Sequence, residues 1–554
     1  MGGLDGPPKP PDAPHAPAKP GRSSILRPPD APHAPAKPGR SSNSGPAPTV
    51  SPLEGLVYGF SVALTPTNIF ACFVGVVVGT IVGILPGIGP VGAMALLLPT
   101  TFALEPATGL IMLAGIYYGS MYGGSTTSIL VNVPGEAASV VTAIDGYQMT
   151  KRGRAGAALT VSGVGSFVAG SVGVVGIVLA ASWLADQALR FGPPEYFAMA
   201  LAGLMLLSRL SGGSVLHSFL MVAIGLALGT VGMEPISAIR RFTFGSTQLS
   251  QGIELVPVIM GLYGVAEILL IAEAGIRKAH IASIRWRELL PTPEEWRRSG
   301  WPIARGSVIG FLTGLIPGPA TVLATFIAYS VERKVSRTPE RFGQGAIEGV
   351  AGPEAANNGA TAGAMVPLLS LGIPFSPATA ILLGALMITG VTPGPLLISQ
   401  RPDVFWGVVA SMYVGNLILL ILNLPLVGLF VSVLRLPQHV LATLVLLLCL
   451  VGAYSLNNSQ LDLWVLVVFG ILGYGLRKLA IDASPLVVAL VLGPLMEKAL
   501  VQTLFMERGN LLGILSRPLA LSLLLLGVLA LLVPPLVRLL RRPRIAPELS
   551  GASR

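Results

Sequence analysis

Residues 75–87 read GVVVGTIVGILPG, and residues 306–318 read GSVIGFLTGLIPG. Gly75, Gly79, Gly83 and Gly87 of the first run match Gly306, Gly310, Gly314 and Gly318 of the second, at an offset of 231 (306 − 75). Each ladder puts small residues on one helical face, where a second helix can approach closely. Each ends on Pro-Gly (Pro86-Gly87, Pro317-Gly318) and is followed by a segment rich in Gly, Ser, Thr or Asn. Aligning Val133-Pro134 with Ile373-Pro374 gives an offset of 240 (373 − 133), which also places Gly119 and Gly123 opposite Gly359 and Gly363. Halves that repeat, with helices interrupted at corresponding places, form the pattern of a secondary transporter whose interruptions point to the binding site.

Composition leads to a membrane independently. Of 554 residues, 52% are hydrophobic and 11% charged, against about 25% charged in soluble domains; the mean hydropathy is +0.73. Apolar stretches at 161–184, 215–231, 255–272, 404–433, 440–456 and 519–536 approach or exceed the roughly 18 residues that span hydrocarbon. The pattern predicts an all-α polytopic protein with about ten to twelve spans, broken or re-entrant in the two repeats. The net charge of +10 does not indicate nucleic acid, because Lys and Arg sit in short loops where orientation signals belong.

The expected organisation is a Pro/Ala-rich tail over 1–50, a first transmembrane half over 51–300, a second over 301–541 and a tail over 542–554. The tail carries PPDAPHAPAKPGRSS twice, at 10–24 and 28–42, and sequence of this kind cannot bury a core. No basic start followed by an apolar segment marks a signal peptide. Charge placement predicts inverted repeats. The turn near Glu105 lacks Lys and Arg, whereas its counterpart has Arg333, Lys334, Arg337 and Arg341, so the first ladder hairpin should open outward and the second inward. Both ladder units look too short for two full crossings, which suggests re-entrant hairpins buried in protein or lining a watery cavity.

Several chemistries find no support. Cys72 and Cys449 lie in apolar spans and read as buried hydrophobes. The five histidines form no cluster with one another or with cysteine, so no metal site is expected. Gly87, Gly89 and Gly92 fit G-x-G-x-x-G, but they lie between membrane segments with Pro90 inside, not after a strand. No Walker A sequence occurs, and no catalytic residue is assigned.

The strings GILPGIGPVGAMALLLPTTF (83–102) and YYGSMYGGSTTSILVNVPGEAASVVTAIDGYQMTKRGRAGAAL (117–159) resemble the large transmembrane subunit of the tripartite tricarboxylate transporters. GLIPGPATVLATFIAY (314–329) and PEAANNGATAGAMVPLLSLGIPFSPATAILLGAL (353–386) are similar to that family's second half. The resemblance covers about residues 53–540; the repeated proline tail is not part of the family pattern. It implies a multi-pass permease of the bacterial inner membrane that imports organic acids on an ion gradient. It also implies two partners, a periplasmic solute-binding protein and a small membrane subunit.

The residues supply their own chemistry. An oxyanion at membrane depth needs hydrogen-bond donors and positive potential, which helix N-termini at breaks provide. The expected substrate-binding set is Pro86, Gly87, Gly124, Ser125, Thr126, Thr127, Ser128 and Asn132 in the first half. In the second half it is Pro317, Gly318, Asn357, Asn358, Thr361 and Pro374. Helices are expected to break at 123–128 and at 357–361, leaving carbonyls near Gly124 and Asn357 for Na⁺. Lys and Arg are absent from 107–149 and 342–396, so cation symport is expected, with Na⁺ or H⁺ as coupling ion and no cofactor. Glu136 and Glu354 fit either cation coupling or the capping of a broken helix. Asp145 reads as a loop residue in an ion pair, Glu267 and Asp186 as structural. Tyr117, Tyr118 and Tyr122 fit an interfacial belt or a gate. The competing reading is a membrane-embedded enzyme or lipid-handling protein using the same polar breaks, for which no nucleophile–base pair or metal ligand set is found.

Overall fold

The computed structural model describes residues 51–85, 89–188, 190–211, 214–234, 236–274, 290–426 and 438–540, with residues 2 and 428 besides. The expected N-terminal repeat tail, the expected C-terminal tail, and Pro86 and Gly87 lie outside the described residues. In chain order the helices are α1 (Pro52–Ala63), α2 (Pro66–Ile84), α3 (Gly89–Thr101), α4 (Pro106–Val131), α5 (Val140–Lys151), α6 (Ala155–Ala188), α7 (Pro193–Leu210) and α8 (Val215–Gly229). Then α9 (Leu255–Ile259) runs through a π-helical turn (Met260–Val265) into α10 (Ala266–Ala274). The second half opens with α11 (Pro293–Gly314), α12 (Ala320–Val335), α13 (Glu348–Leu371), α14 (Pro377–Ile388), α15 (Leu397–Gln400) and α16 (Pro402–Asn423). It closes with α17 (Gln438–Asn457), α18 (Gln460–Lys478), α19 (Ser484–Met506) and α20 (Pro518–Leu540). A two-residue antiparallel ladder, Gly232–Met233 with Arg240–Arg241, is the strand structure among the described residues.

The protein is an all-α polytopic membrane protein. Six described helices are long and apolar enough to cross a bilayer: Pro66–Ile84, Ala155–Ala188, Leu255–Glu273, Pro402–Asn423, Gln460–Lys478 and Ser484–Met506. Five shorter apolar helices accompany them. Helix α11 begins at Pro293, where Thr292 accepts from the Glu295 amide.

The ladders are packing surfaces. A Cβ on Gly75, Gly79 or Gly83 would lie 2.2, 2.4 or 2.3 Å from the carbonyl oxygen of Met112, Ile116 or Ser120 on α4. The partner residue rises in step with the ladder residue, so α2 and α4 run parallel at near backbone contact, with α3 returning between them. The second half repeats the arrangement: Gly306, Gly310 and Gly314 of α11 meet the carbonyls of Gly352, Ala356 and Ala360 on α13 at 2.3, 2.2 and 2.4 Å. Each α13 partner lies 240 residues beyond its α4 counterpart (352 − 112), so packing reproduces the offset that the prolines suggest. In each half a long, polar-sequenced helix is thereby clamped against its ladder.

Candidate functional site

Both clamped helices stop at the same place. α4 ends on Asn132 at φ 58° and α13 on Gly372 at φ 70°, a left-handed cap at equivalent positions. Asn and Gly tolerate this conformation. Pro134 and Pro374, two residues on in each half, lack the N–H that would let the helix continue. The chain then runs extended and restarts, through the short 3₁₀ turn Ala137–Ser139 into α5 in one half and at Pro377 in the other. Gly135 fills the first break: a Cβ there would fall 2.2 Å from the Gly83 carbonyl and 2.6 Å from Gly124 Cα.

The expected breaks at 123–128 and 357–361 do not form. α4 runs unbroken to Val131 and α13 to Leu371, because the hydroxyls bond their own helix. Ser125 donates to the Met121 carbonyl (3.1 Å), Thr126 to Tyr122 (3.2 Å), and Thr127 and Ser128 to Gly124 (3.0 Å each). Thr361 donates to Asn357 (3.0 Å). The Gly124 and Asn357 carbonyls expected to be free for Na⁺ are therefore engaged. Gly123 and Gly124 serve packing: a Cβ on Gly123 would strike the Thr80 carbonyl at 2.4 Å, and one on Gly124 would meet Glu136 Cγ at 2.7 Å.

The two halves meet across these segments in opposite directions. Asn357 Nδ2 on α13 donates to Glu136 Oε1 in the first break (2.7 Å). The related pair, 240 residues away in each member, is Tyr117 on α4 with Ser376 in the second break, and both line one cavity. Tyr117 also lies near Thr361, while Ser125, eight residues further along α4, lies near Glu354, seven residues back along α13. Equivalent helices thus run antiparallel, as an inverted repeat requires.

A cavity of about 860 Å³ opens where the breaks converge. Gly135 and Glu136 line it from the first half, Gly318, Pro319, Ser376 and Pro377 from the second, and Arg477, Asp482 and Ser484 from the C-terminal helices. Four α-helices begin at its wall: α3 at Gly89, α12 at Ala320, α14 at Pro377 and α19 at Ser484. Their dipole ends add positive potential at the cavity wall, while the Ser484 amide goes to Asp482, the Ala320 amide to Gly318 and the Thr379 amide to Ser376. Its charged lining is one arginine, Arg477, against the carboxylates Glu136 and Asp482.

Of the candidate site residues singled out from sequence, Tyr117, Glu136 and Gly318 line this cavity. Asn357 and Gly124 are brought to Glu136 without reaching the wall themselves. Ser125, Thr126, Thr127, Ser128, Asn358 and Thr361 are buried inside α4 and α13, and Asn132, Pro317 and Pro374 flank the breaks. Glu354 is fully buried, accepting from Thr142 of α5 and from Ser162 of α6 (3.0 Å). Asn358 Nδ2 bonds Ser166 of α6 (2.7 Å), and the side-chain oxygens of Asn357 and Asn358 are buried without a partner among the described residues.

Asp145 overturns its sequence reading. It lies within α5, fully buried, and accepts from the amides of Gly343 (2.9 Å), Gly345 (2.7 Å) and Ala346 (2.8 Å) and from the Tyr329 hydroxyl (2.9 Å). Backbone donors from the approach to α13 replace the expected cationic partner. Sequence reasoning also missed Arg477 and Ser376. Arg477 stands at the end of an apolar helix with no motif around it, whereas Ser376 follows from carrying Glu136 forward by 240.

A helical membrane protein whose halves repeat in opposite directions about a cavity at their broken segments has the architecture of a secondary transporter. The chain belongs to the tripartite tricarboxylate transporter TctA family, whose model matches residues 69–488. It is similar to the "Uncharacterized 52.8 kDa protein in TAR-I ttuC' 3'region" of Agrobacterium vitis, 47% identical over 482 residues, covering 87% of this chain and 96% of that protein. An "Uncharacterized protein in TAR-II ttuC' 3'region" of the same organism is 46% identical over 224 residues, 40% of this chain and 93% of the relative. No solved structure matches.

Proposed function

We propose that the chain is the permease subunit of a binding-protein-dependent system of the bacterial inner membrane, importing tricarboxylates or related organic acids by cation symport. The observation that carries this reading is the convergence of four helix N-termini, drawn from both halves and the C-terminal helices, on one cavity. Such ends replace the water of an oxyanion. A multivalent anion nevertheless meets Glu136 and Asp482 in that lining, with Arg477 as the one cationic side chain there. Each uncompensated buried charge costs on the order of several kcal/mol, so a cation travels with the substrate. Glu136, held by Asn357 and packed on Gly124, and Glu354, held by Thr142 and Ser162, are the carboxylates for it. They carry H⁺ in a proton-driven system and help to ligate Na⁺ in a sodium-driven one. In this reading substrate capture falls to a periplasmic solute-binding protein beside a small membrane subunit, as the tripartite family suggests. No catalytic role is assigned.

Proteoliposomes with the chain, its small subunit and its binding protein test this. Labelled organic acid should accumulate against its gradient only when a sodium or proton gradient and the binding protein are present. Full-rate uptake without the binding protein, or uptake indifferent to both gradients, would refute it.

A further inference from the structure

The third wall of the cavity lies outside the duplicated segments. It is built by the end of α18, the residues leading into α19, and the π-helical turn between α9 and α10. π-turns inside α-helices are frequent at functional sites, and this one contributes Leu262 and Tyr263 to the lining. One turn on, α10 carries Glu267, buried and paired with Arg477 Nη1 of α18 at 2.7 Å.

Like Arg298–Glu348 and Arg517–Glu507, this pair does not close with two donors on two carboxylate oxygens, and of the three arginines Arg477 is the one that lines the cavity. Arg154–Glu295, Arg241–Glu497, Arg305–Glu332 and Arg401–Asp403 each close with two donors on two carboxylate oxygens. Arg477 uses a single donor, and its guanidinium forms no other hydrogen bond to the described residues. A third of its side chain is accessible (34%). The neighbouring donors are engaged. The Ser484 amide and hydroxyl both go to Asp482 Oδ1 (2.9 and 2.7 Å), and the Tyr263 hydroxyl faces Ser484 at 3.3 Å. Arg477 is thus the cavity-lining cation with an open edge, and a planar fork with spare N–H groups matches a carboxylate in bidentate fashion.

We propose that Arg477 reads a carboxylate of the substrate in this cavity, and that Glu267 is a positioning residue, holding the guanidinium by one N–H so that its other edge faces the ligand. The inference rests on the transport reading above and adds the residue that recognises the anion. In the empty state Glu267 keeps a half-buried charge paired; in the loaded state the substrate takes the edge that Glu267 leaves free.

The test uses the full chain with its partner subunits and measures uptake of labelled citrate, succinate and acetate as tri-, di- and monocarboxylate probes. Arg477→Gln alone strands the Glu267 charge and risks misfolding, so the decisive variant is R477Q/E267Q, which replaces both charges by amides of the same shape. For whichever probe the wild type transports, the double variant should raise KM at least tenfold with the maximal rate less affected. R477K, a charge without a fork, should raise it less. E267Q, which leaves Arg477 in place, should change KM least. A wild-type KM in the double variant, or a rise in E267Q equal to that in the double variant, would overturn the inference and leave the transport reading standing. Absence of uptake of all three probes by the wild type would overturn both.

Discussion

The first break, residues 132–139, and the second, 372–379, share a backbone and differ in chemistry. Each begins at a left-handed cap, passes a proline and ends in a side chain turned back on the chain. Ser139 donates to the Glu136 carbonyl (2.9 Å), and Ser376 and Thr379 bond each other reciprocally. Yet Glu136 faces Asn357 in one half, while the equivalent pair is Ser376 and Tyr117 in the other. Asp145 has Ala385 as its equivalent, and Glu354 has Ala114 (145 + 240 and 354 − 240). The duplication supplies a scaffold of clamped helices and paired breaks. The ionisable groups sit on it once each, so the proposed anion and cation sites and the Asp145 anchor need not compete for symmetric positions.

The largest expected effect falls on an unduplicated anchor. Asp145→Ala strips the acceptor from three amides and a hydroxyl at once and should destabilise the protein by about 3 kcal/mol or more, read as a lower melting temperature in detergent. Ala385→Gly, at the equivalent place, should cost no more than about 1 kcal/mol. Similar losses at both would mean that the anchor is not one-sided.

The ladders should behave alike. Gly79→Ala and Gly310→Ala each drive a methyl into a carbonyl 2.4 or 2.2 Å away, with an expected loss of about 1–3 kcal/mol apiece. Equal shifts in thermal melting sharpen the equivalence; a neutral result at one breaks it.

The breaks should then diverge. Glu136→Gln keeps an acceptor for Asn357 but removes the ionisable carboxyl and should lower uptake about 10- to 100-fold, whereas Ser376→Ala loses a neutral hydroxyl and should cost about fivefold. With Glu136 and Glu354 both changed to Gln, a proton-driven system loses accumulation and a sodium-driven one keeps part of it. The smallest effect is expected at Thr126→Ala and Thr361→Ala, whose hydroxyls bond their own helices: less than about 0.6 kcal/mol in stability and near-normal uptake.

The ladders, the 240-residue offset and the prolines of the breaks were legible because they are local and backbone-determined. A glycine every fourth residue needs a helix against it, and a proline after Asn or Gly stops one. The hydroxyls of 125–128 misled because composition does not distinguish a hydroxyl that lines a cavity from one that bonds the carbonyl a turn back, and in an apolar setting the latter satisfies both groups. Asp145 misled because its partners are amides almost 200 residues away. Arg477 carries no local pattern; only tertiary packing brings the end of α18 to the breaks.

The most direct test of a cavity formed jointly by the two breaks uses one cysteine in each, Ala137→Cys and Pro377→Cys, which are equivalent positions lining it. The background is C72A/C449A, since both native cysteines are buried. Both engineered thiols should react with a membrane-impermeant maleimide, and the transported carboxylate should slow both reactions. Reaction at one position alone, or at both with no change on adding that carboxylate, would contradict a shared substrate cavity.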